Sequence, residues 1–492
     1  MRTHLVWLRS DLRMTDNRAL HAACADVRAR VVALYVATPR QWLAQEMAPR
    51  QAQFIWQNLL ALQVTLGQRQ IPLYCLSVDD YAAQARAVRE VCLRERADAL
   101  FVNRQYELNE RRRDDALAAA LTIPCHFFDD ALLLAPGTVL TGAGQMFKVF
   151  TPFKRAFLRG LMSADLRVLP APSPRQPGSA PPVQAERFNY PDAEVDSALF
   201  PAGEAAAQTR LVQFCHGALA AYAARRDFPA QAGTSQLSPY LTLGVLSPRQ
   251  CLAALQPQAL VSPGLSSGAE AWLNELIWRE FYRHLLVAWP DLCRHRPFIP
   301  WTARIRWRDD PAGLLRWQQG MTGFPLVDAA MRQLNRCGWM HNRLRMLTAS
   351  FLVKDLLIDW RLGERYFLRQ LLDGDLAANN GGWQWAASTG SDAAPYFRIF
   401  NPRVQGQRYD PQGQFIRRWL PELRDVPDSD IHHPQRWALR RQRVLDYPDP
   451  QVDHARARQD TLLAFARARA GDGRRGMRTQ APQRGRDRES GR

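Results

Sequence analysis

Three segments of this chain carry residues that an ordinary helical core does not require. In AWLNELIWREFYRHLL, Trp272, Glu275, Arg279 and Tyr282 fall at i, i+3, i+7 and i+10, so they share one helix face, with Trp278 beside it. In GWMHNRLRMLTASFL, Trp339, Asn342, Arg345 and Met346 repeat the arrangement. A stripe of aromatic, polar and charged groups is wrong for a face packed on a core, because burying an unpaired Glu or Arg is costly. Such faces meet solvent or line a polar ligand pocket, and the tryptophans on both favour the pocket. The third segment, LLDGDLAANNGGWQWAASTG, puts Asp373 and Asp375 ahead of Asn379, Asn380, Gly381, Gly382, Trp383 and Trp385. Its glycines let a ligand approach the backbone. Its carboxylates suit helix caps or metal ligands; two Asp without a nearby His are a weak metal signal, and no metal is expected. A turn rich in hydroxyls, GTSQLSPYLTLG, suits phosphate, held through Ser/Thr O–H and backbone N–H.

The tryptophans are unevenly placed. Of 15, three precede residue 60 and twelve follow residue 270. Stacking on bases, enclosing a flat cofactor and relaying electrons are the functional uses open to them, beside core packing. No Ser/His/Asp or His/Cys ligand cluster stands out, so chemistry by nucleophile or metal is not signalled. The histidines read as ordinary surface or core residues, and His341, beside Asn342, is the one worth testing.

The elements that must position these groups change character along the chain. Apolar runs at His4–Leu8, Arg30–Val36, Ile71–Ser77, Ala99–Val102 and Cys125–Phe128 alternate with helix-length segments such as Pro49–Gln68 and Asp79–Arg96. That alternation predicts a doubly wound parallel sheet. No GxGxxG or GxxxxGK[ST] follows the first strand, so an ordinary dinucleotide or P-loop site is not signalled there. Prolines crowd PAPSPRQPGSAPP, which predicts an exposed linker. From about residue 205 the periodicity is helical. The end, from Arg469, is rich in Gly and Arg and lacks an apolar face, which predicts a disordered basic tail.

With 65 Lys and Arg against 47 Asp and Glu, the net charge is +18. Nucleic acid is the first polyanionic partner to consider; an Arg-rich compositional bias is the plain alternative. No run of about 18 apolar residues exists, and the N-terminus carries charges in its only apolar stretch, so neither a membrane protein nor a signal peptide is expected. Eight scattered cysteines without a CxxC pair fit a reducing, cytoplasmic compartment.

WLRSDLRMTDNRAL, WLNELIWREFYRHLL, WMHNRLRM and DGDLAANNGGWQWAASTGSDAAPYFRIFNP together resemble the photolyase/cryptochrome family, specifically the bacterial class I cyclobutane pyrimidine dimer photolyases. The resemblance runs from residue 1 to about 465. It implies an α/β antenna domain over 1–130, an interdomain linker over 131–204, an all-α FAD-binding domain over 205–468 and a tail over 469–492. It implies FAD contacts at Tyr222, Thr234, Ser235, Gln236, Leu237, Ser238, Trp272, Glu275, Arg279, Trp339, Asn342, Arg345, Asp373, Asp375 and Asn379. Asn379 would face flavin N5, where plant cryptochromes typically carry Asp, so Asn favours repair over a blue-light photoreceptor without repair activity. Glu275 would bond the base edges of a flipped-out dimer in UV-damaged DNA. Trp278 and Trp385 would wall the dimer, and Asn342 and Met346 would complete the site. Relatives that act on (6-4) photoproducts carry His at those last two positions. Arg226, Arg343 and Arg398 would contact phosphate, and Trp307, Trp360 and Trp383 would relay electrons to the flavin. Asn109 and Glu110 match a folate-antenna site, implying 5,10-methenyltetrahydrofolate, with Arg9, Cys293 and Arg294 at its rim. Gln45 stands where folate-binding relatives often have His, so a deazaflavin or an empty antenna stays open. A monomer is expected.

Overall fold

The computed structural model describes residues 2–175, 187–255 and 265–478; Pro177, Pro181, Pro182 and residues 479–492 lie outside them. Strand β1, Thr3–Leu8, is buried along its whole length. A strand covered on both faces needs apolar residues throughout, which THLVWL largely supplies. It forms the centre of a parallel sheet, with β2 (Arg30–Ala37), β3 (Leu73–Ser77), β4 (Ala99–Asn103) and β5 (Cys125–Phe128) in the order β3-β2-β1-β4-β5. Leu5 lies opposite Val32 on one side and Leu100 on the other. The expected strands agree to within two residues. β3 starts at Leu73 instead of Ile71 because the intervening Pro72 has no N–H for the ladder, although its carbonyl still accepts from Ala33 at 2.9 Å.

Helix α1 (Pro49–Gln68), α2 (Tyr81–Arg94) and α3 (Leu108–Ala120) follow in the βα units. Asp80 caps α2 by accepting from Ala83 N at 2.7 Å. One sheet face, with Leu5, Trp7, Val32 and Leu34, packs on Val88, Val91 and Leu117 of α2 and α3. The other, with Val6, Leu8, Val31 and Ala33, packs on Phe54 and Leu59 of α1 and is continuous with the helical part.

The stretch expected as linker contributes to that core. It carries α4 (Phe150–Leu161), whose Phe150, Phe153 and Phe157 are buried; the Phe153 ring lies 5.1 Å from Phe281. The start of the proline-rich segment is pinned rather than loose, because Arg175 donates to the carbonyls of Cys24, Asp26 and Ala29.

The helical part contains α5 (Glu204–His216), α6 (Ser267–Ala288), α7 (Pro325–Cys337), α8 (Asn342–Ser350), α9 (Trp360–Gln370), α10 (Leu376–Ala387) and α11 (His454–Arg478). Trp317, Met331, Leu347, Trp360, Phe367 and Trp383 share its core. α11 corrects one expectation: it continues through 469–478, where a disordered tail was predicted. Ala468 is buried beside Ile305 and Phe465, and its carbonyl accepts from Arg304 Nε at 3.2 Å. A helix anchored this far extends without a new nucleation cost.

A buried charge cluster joins the two parts. Arg249 pairs with Asp16 at 2.9 Å and Asp130 at 2.6 Å, and Arg13 pairs with Asp130 at 2.5 Å. All four side chains are 0–1% exposed, so each charge depends on its partners. Burial alone raises the Asp130 carboxyl, but Arg13 and Arg249 outweigh it and hold it below the usual carboxylate range. Such a depressed group stabilises the fold above the unfolded Asp pKa of about 4, and the contribution is lost as pH falls through the folded value. Arg249→Met should cost about 3–5 kcal/mol in urea unfolding near neutral pH by leaving two carboxylates under-paired. The variant should also lose less stability on acidification than the parent; an unchanged urea midpoint would refute the role given to the cluster.

Candidate functional site

α10 packs against both α6 and α8, and this brings the three chemistry-bearing segments together. Trp272 is buried, its ring 5.1 Å from Phe214, and Tyr222 meets the same Phe214 edge-on at 5.7 Å. Trp339 is buried and donates through Nε1 to Ser238 Oγ at 3.3 Å. That bond ties the second aromatic stripe to the hydroxyl-rich turn. A Cβ on Gly233 would lie 2.8 Å from the Arg225 carbonyl oxygen, so glycine is needed for this turn to pass so close. Thr234 and Ser235 are partly exposed, and their hydroxyls have no partner among the described residues. They are available to an anion. Gln236 adopts a left-handed φ of 51° and accepts from Arg210 at 2.9 Å; Leu237 is buried beneath.

The polar residues of the third segment divide by role. Arg345 Nη2 donates to both oxygens of the nearly buried Asp373, at 3.0 and 2.8 Å. Asp375 is a helix cap: one oxygen accepts from Ala378 N at 2.8 Å at the start of α10, and the other pairs with Arg283 of α6. No group of His, Cys, Asp and Glu fit to hold a metal occurs among the described residues. Asn379 donates through Nδ2 to the Glu364 carbonyl at 3.0 Å. A carbonyl only accepts, so the amide orientation is determined, and Oδ1 is left as an unpartnered acceptor. Unpaired Thr234 and Ser235 hydroxyls, two buried indoles and a free Asn379 oxygen fit a flat cofactor with a phosphate tail.

Arg279, expected as a cofactor contact, is bonded at the seam between sheet and helices. Its guanidinium donates to the carbonyls of Ala131 at 2.7 Å and Leu241 at 3.4 Å. With Arg283 and Asp375 it borders a polar cavity at the C-terminal ends of β1 and β4, beside Asp11 and Asn103. Burial, with Arg283 adding repulsion, pushes it down to about 10. In this structure it bonds the seam between sheet and helices.

On the open side, Glu275 Oε1 and Arg226 Nη1 form an ion pair at 2.6 Å, with side chains 31% and 28% exposed. The expected base-edge acceptor and an expected phosphate contact are therefore bonded to each other, with Glu275 Oε2 left over. Burial raises the Glu275 carboxyl, and Arg226 opposes this. Arg343 is engaged likewise, 2.9 Å from Asp227 and 4.7 Å over the Tyr409 ring. Arg398 is exposed. Asn342 is exposed at the start of α8, its Nδ2 4.0 Å from Met346 Sδ. His341 is the cap of that helix: Nδ1 accepts from Arg343 N at 3.1 Å, and burial pushes the ring down to about 4, so it is neutral. Trp278 is partly exposed, as is Trp385; one face of Trp278 stacks on Phe150 at 3.7 Å and 3°. Phe150 was not foreseen, although Phe150, Phe153 and Phe157 at i, i+3 and i+7 were a readable helical stripe.

The three tryptophans expected as a relay grade from inside to outside. Trp383 is buried on α9: a Cβ on Gly363 would lie 2.1 Å from its ring. Gly363 is one turn along from Trp360, also buried, whereas Trp307 is partly exposed, edge-on to Phe465 at 6.2 Å. Buried Trp317, 6.0 Å from Trp383, was not singled out in the sequence.

At the sheet edge, buried Glu110 accepts from the Tyr81 hydroxyl at 2.5 Å, and that hydroxyl lies 3.1 Å from the Gln45 amide. Tyr81 has one proton, so Gln45 must turn its NH2 towards it. Asn109 is exposed. Cys293 bonds the backbone of Leu108, and burial pushes its thiol up to about 11. Arg294 is exposed and lies 3.3 Å from Asp291. Arg9 is no rim residue: it is buried, 2.7 Å from Asp114 and 4.5 Å over Trp7.

Residues 4–175 match the DNA photolyase family, and residues 272–467 match the FAD binding domain of DNA photolyase. A deoxyribodipyrimidine photo-lyase of Escherichia coli is 56% identical over 96% of this chain and 100% of its own length. One from Salmonella typhimurium is 57% identical with the same coverage. Among solved structures, a bacterial class III photolyase from Agrobacterium tumefaciens superposes with a TM-score of 0.82 at 34% identity, covering 96% of this chain and 98% of that one. A Synechocystis cryptochrome gives 0.84 at 29% identity, covering 94% and 99%. The chain belongs to the DNA photolyase family. Within it, the full-length likeness is to deoxyribodipyrimidine photo-lyases.

Gly363→Ala should force the Trp383 ring aside and cost about 1–3 kcal/mol, read as a lower urea midpoint with altered tryptophan fluorescence. An unchanged midpoint and spectrum would show that Trp383 does not seat on α9.

Proposed function

We infer that this chain is a lyase that uses light to split cyclobutane pyrimidine dimers in DNA, with FAD as its cofactor. The carrying observation is that the packing of α10 on α6 and α8 brings together the helices that carry the buried indole of Trp272 and the free Asn379 oxygen, with the buried Trp339 bonded to the hydroxyl-rich turn through Ser238 and with Trp278 and Trp385 partly exposed. The full-length likeness to two deoxyribodipyrimidine photo-lyases supports the lesion class. So does the lack of His at positions 342 and 346.

When bound and reduced, FAD supplies one electron to the lesion after light absorption and takes it back once the two bonds joining the bases have broken. The chain's own residues bind, orient and exclude water. The turn Thr234–Ser238 and Tyr222 receive the phosphate side. Trp272, Trp339 and the Arg345–Asp373 pair enclose the rest, and Asp375 sets the position of α10. Asn379 Oδ1 would be the atom offered to a ring N–H of the reduced cofactor, since Nδ2 is committed to the Glu364 carbonyl. Arg226 holds Glu275 by Oε1, so Oε2 is presented to the base edges. Trp278, backed by Phe150, Trp385, Asn342 and Met346 surround the flipped-out dimer. Extrusion costs a few kcal/mol, least for a damaged pair, and stacking returns about 1–3 kcal/mol per base. Arg398 and the free N–H groups of Arg343 take phosphate, and the +18 net charge adds an affinity that weakens with salt. Trp383, Trp360 and Trp307 carry electrons inward from the surface.

The organisation we propose keeps an antenna unit over 1–130, a connector over 131–204, a FAD-binding unit over 205–468 and a basic end over 469–492. Asn109 and Glu110, with Gln45 and Tyr81 behind them, would hold 5,10-methenyltetrahydrofolate. The protein would act as a cytoplasmic monomer. Among the described residues, no helix is long and apolar enough to cross a membrane.

Purified, reduced protein should clear a thymine-dimer oligonucleotide under blue light and not in the dark. Flavin binding and a light response with intact dimers would make it a photoreceptor instead. Trp278→Ala should keep FAD yet lose about 1–3 kcal/mol of preference for damaged over undamaged DNA in a binding assay. Equal preference in parent and variant would contradict the pocket. Trp307→Phe should block photoreduction of oxidised flavin while sparing repair once the flavin is chemically reduced. Loss of both would assign Trp307 a structural role.

A further inference from the structure

Behind Asn379 lies a carboxylate that the repair reaction does not use. Glu364 is fully buried, and it supports two successive amides of α10 by different atoms. Its backbone carbonyl accepts from Asn379 Nδ2 at 3.0 Å, and its carboxylate Oε1 accepts from Asn380 Nδ2 at 2.8 Å. Asn380 Oδ1 in turn accepts from Gln384 at 2.9 Å, and Gln384 bolts the 295–298 loop by accepting from Phe298 N at 2.9 Å and donating to Arg296 O at 3.1 Å. The remaining carboxylate oxygen, Oε2, lies 2.8 Å from His295 Nδ1. A buried carboxylate needs a cation or a full set of donors. His295 is the group in contact that becomes a cation on protonation, and its side chain is 29% exposed, so its proton exchanges with solvent while that of a core group would not.

The loop is shaped for this contact. His295 has a left-handed φ of 56°, and its carbonyl accepts from Arg361 Nε at 2.9 Å. Around the ring, α9 contributes Arg361 and Arg365 besides Glu364, and Glu46, itself paired with Arg369, faces it from the sheet-containing part. On its own element, Arg294 and Arg296 are neutralised by Asp291 at 3.3 and 3.2 Å. The hydrogen bond to Glu364 dominates this balance and raises the imidazole above its ordinary value.

We propose that His295 is a positioning residue whose proton is coupled to FAD binding: charged, it clamps Glu364, whose backbone carbonyl holds the Asn379 amide that faces the flavin and whose carboxylate holds the buried Asn380 beside it. This rests on the flavin reading above. The sign follows from linkage: with a raised value in the clamped state, the contribution is complete below about pH 6.5 and is lost as pH rises through the raised value. By reciprocity, FAD must raise the affinity of His295 for its proton by the factor by which the proton raises affinity for FAD.

The test titrates FAD into flavin-free protein by calorimetry, in buffers of different ionisation enthalpy, between about pH 6 and about pH 8.5. The parent should take up a fraction of a proton per FAD and bind several-fold more weakly at the upper pH. His295→Gln keeps an N–H donor for Glu364 but does not titrate; it should bind FAD with no proton uptake from this site and a flattened pH profile. Identical uptake and profiles in both proteins overturn the proposal. Should the variant fail to fold, the imidazole titration of His295 in the parent, followed by NMR with and without FAD, decides: a rise on FAD binding supports the coupling, and no change refutes it. A parent that binds no FAD would bring down the flavin reading and this inference with it, whereas FAD binding without proton uptake removes this inference alone.

Discussion

The site depends on how α10 is held. Asp375 caps its first turn and pairs with Arg283 on α6, so one carboxylate sets both where the helix begins and which neighbour it faces. From that start the 3.6-residue period places Asn379, Trp383 and Trp385 without further instruction. Asn379 reaches the Glu364 carbonyl, Trp383 drops onto α9 over Gly363, and Trp385 remains partly exposed. The residues proposed for cofactor contact and electron relay thus share the α9-facing side of one capped helix, and the one proposed for the lesion wall lies on another side.

A second constraint is the pairing of charge before any ligand arrives. Glu275 with Arg226, Arg345 with Asp373, Arg343 with Asp227 and the Arg13–Asp16–Asp130–Arg249 cluster are ion pairs that leave selected atoms unspent. Holding Glu275 by one oxygen makes the other directional. Holding the Asn379 amide by its nitrogen does the same for its oxygen. Preorganisation of this kind reduces what ordering must cost when the cofactor or a flipped base enters.

Much of this was legible in the residues. Buried strands were recognisable because a central parallel strand must be apolar on both faces, as THLVWL nearly is. The Trp272 and Trp339 stripes were recognisable because polar and aromatic groups at helical spacing cannot form an ordinary core face. What was not legible depends on contacts between residues far apart in the chain. Arg279 shares a helix face with Glu275, yet its guanidinium is claimed by the carbonyl of Ala131 across the domain seam. Arg9 could not be told from a rim residue until Asp114 came beside it. Phe150 gained its place behind Trp278 only once α4 folded onto α6. The 469–478 stretch looked disordered because its own composition offers no apolar face; the helix is anchored just before it, at Ala468.

The central claim is one of placement, so the most direct measurement is a crystal structure with FAD bound. The account predicts the isoalloxazine between Trp272 and Trp339, within hydrogen-bond distance of Asn379 Oδ1, with Nδ2 still on the Glu364 carbonyl. Flavin density elsewhere, or an Asn379 amide turned away from it, would contradict the account.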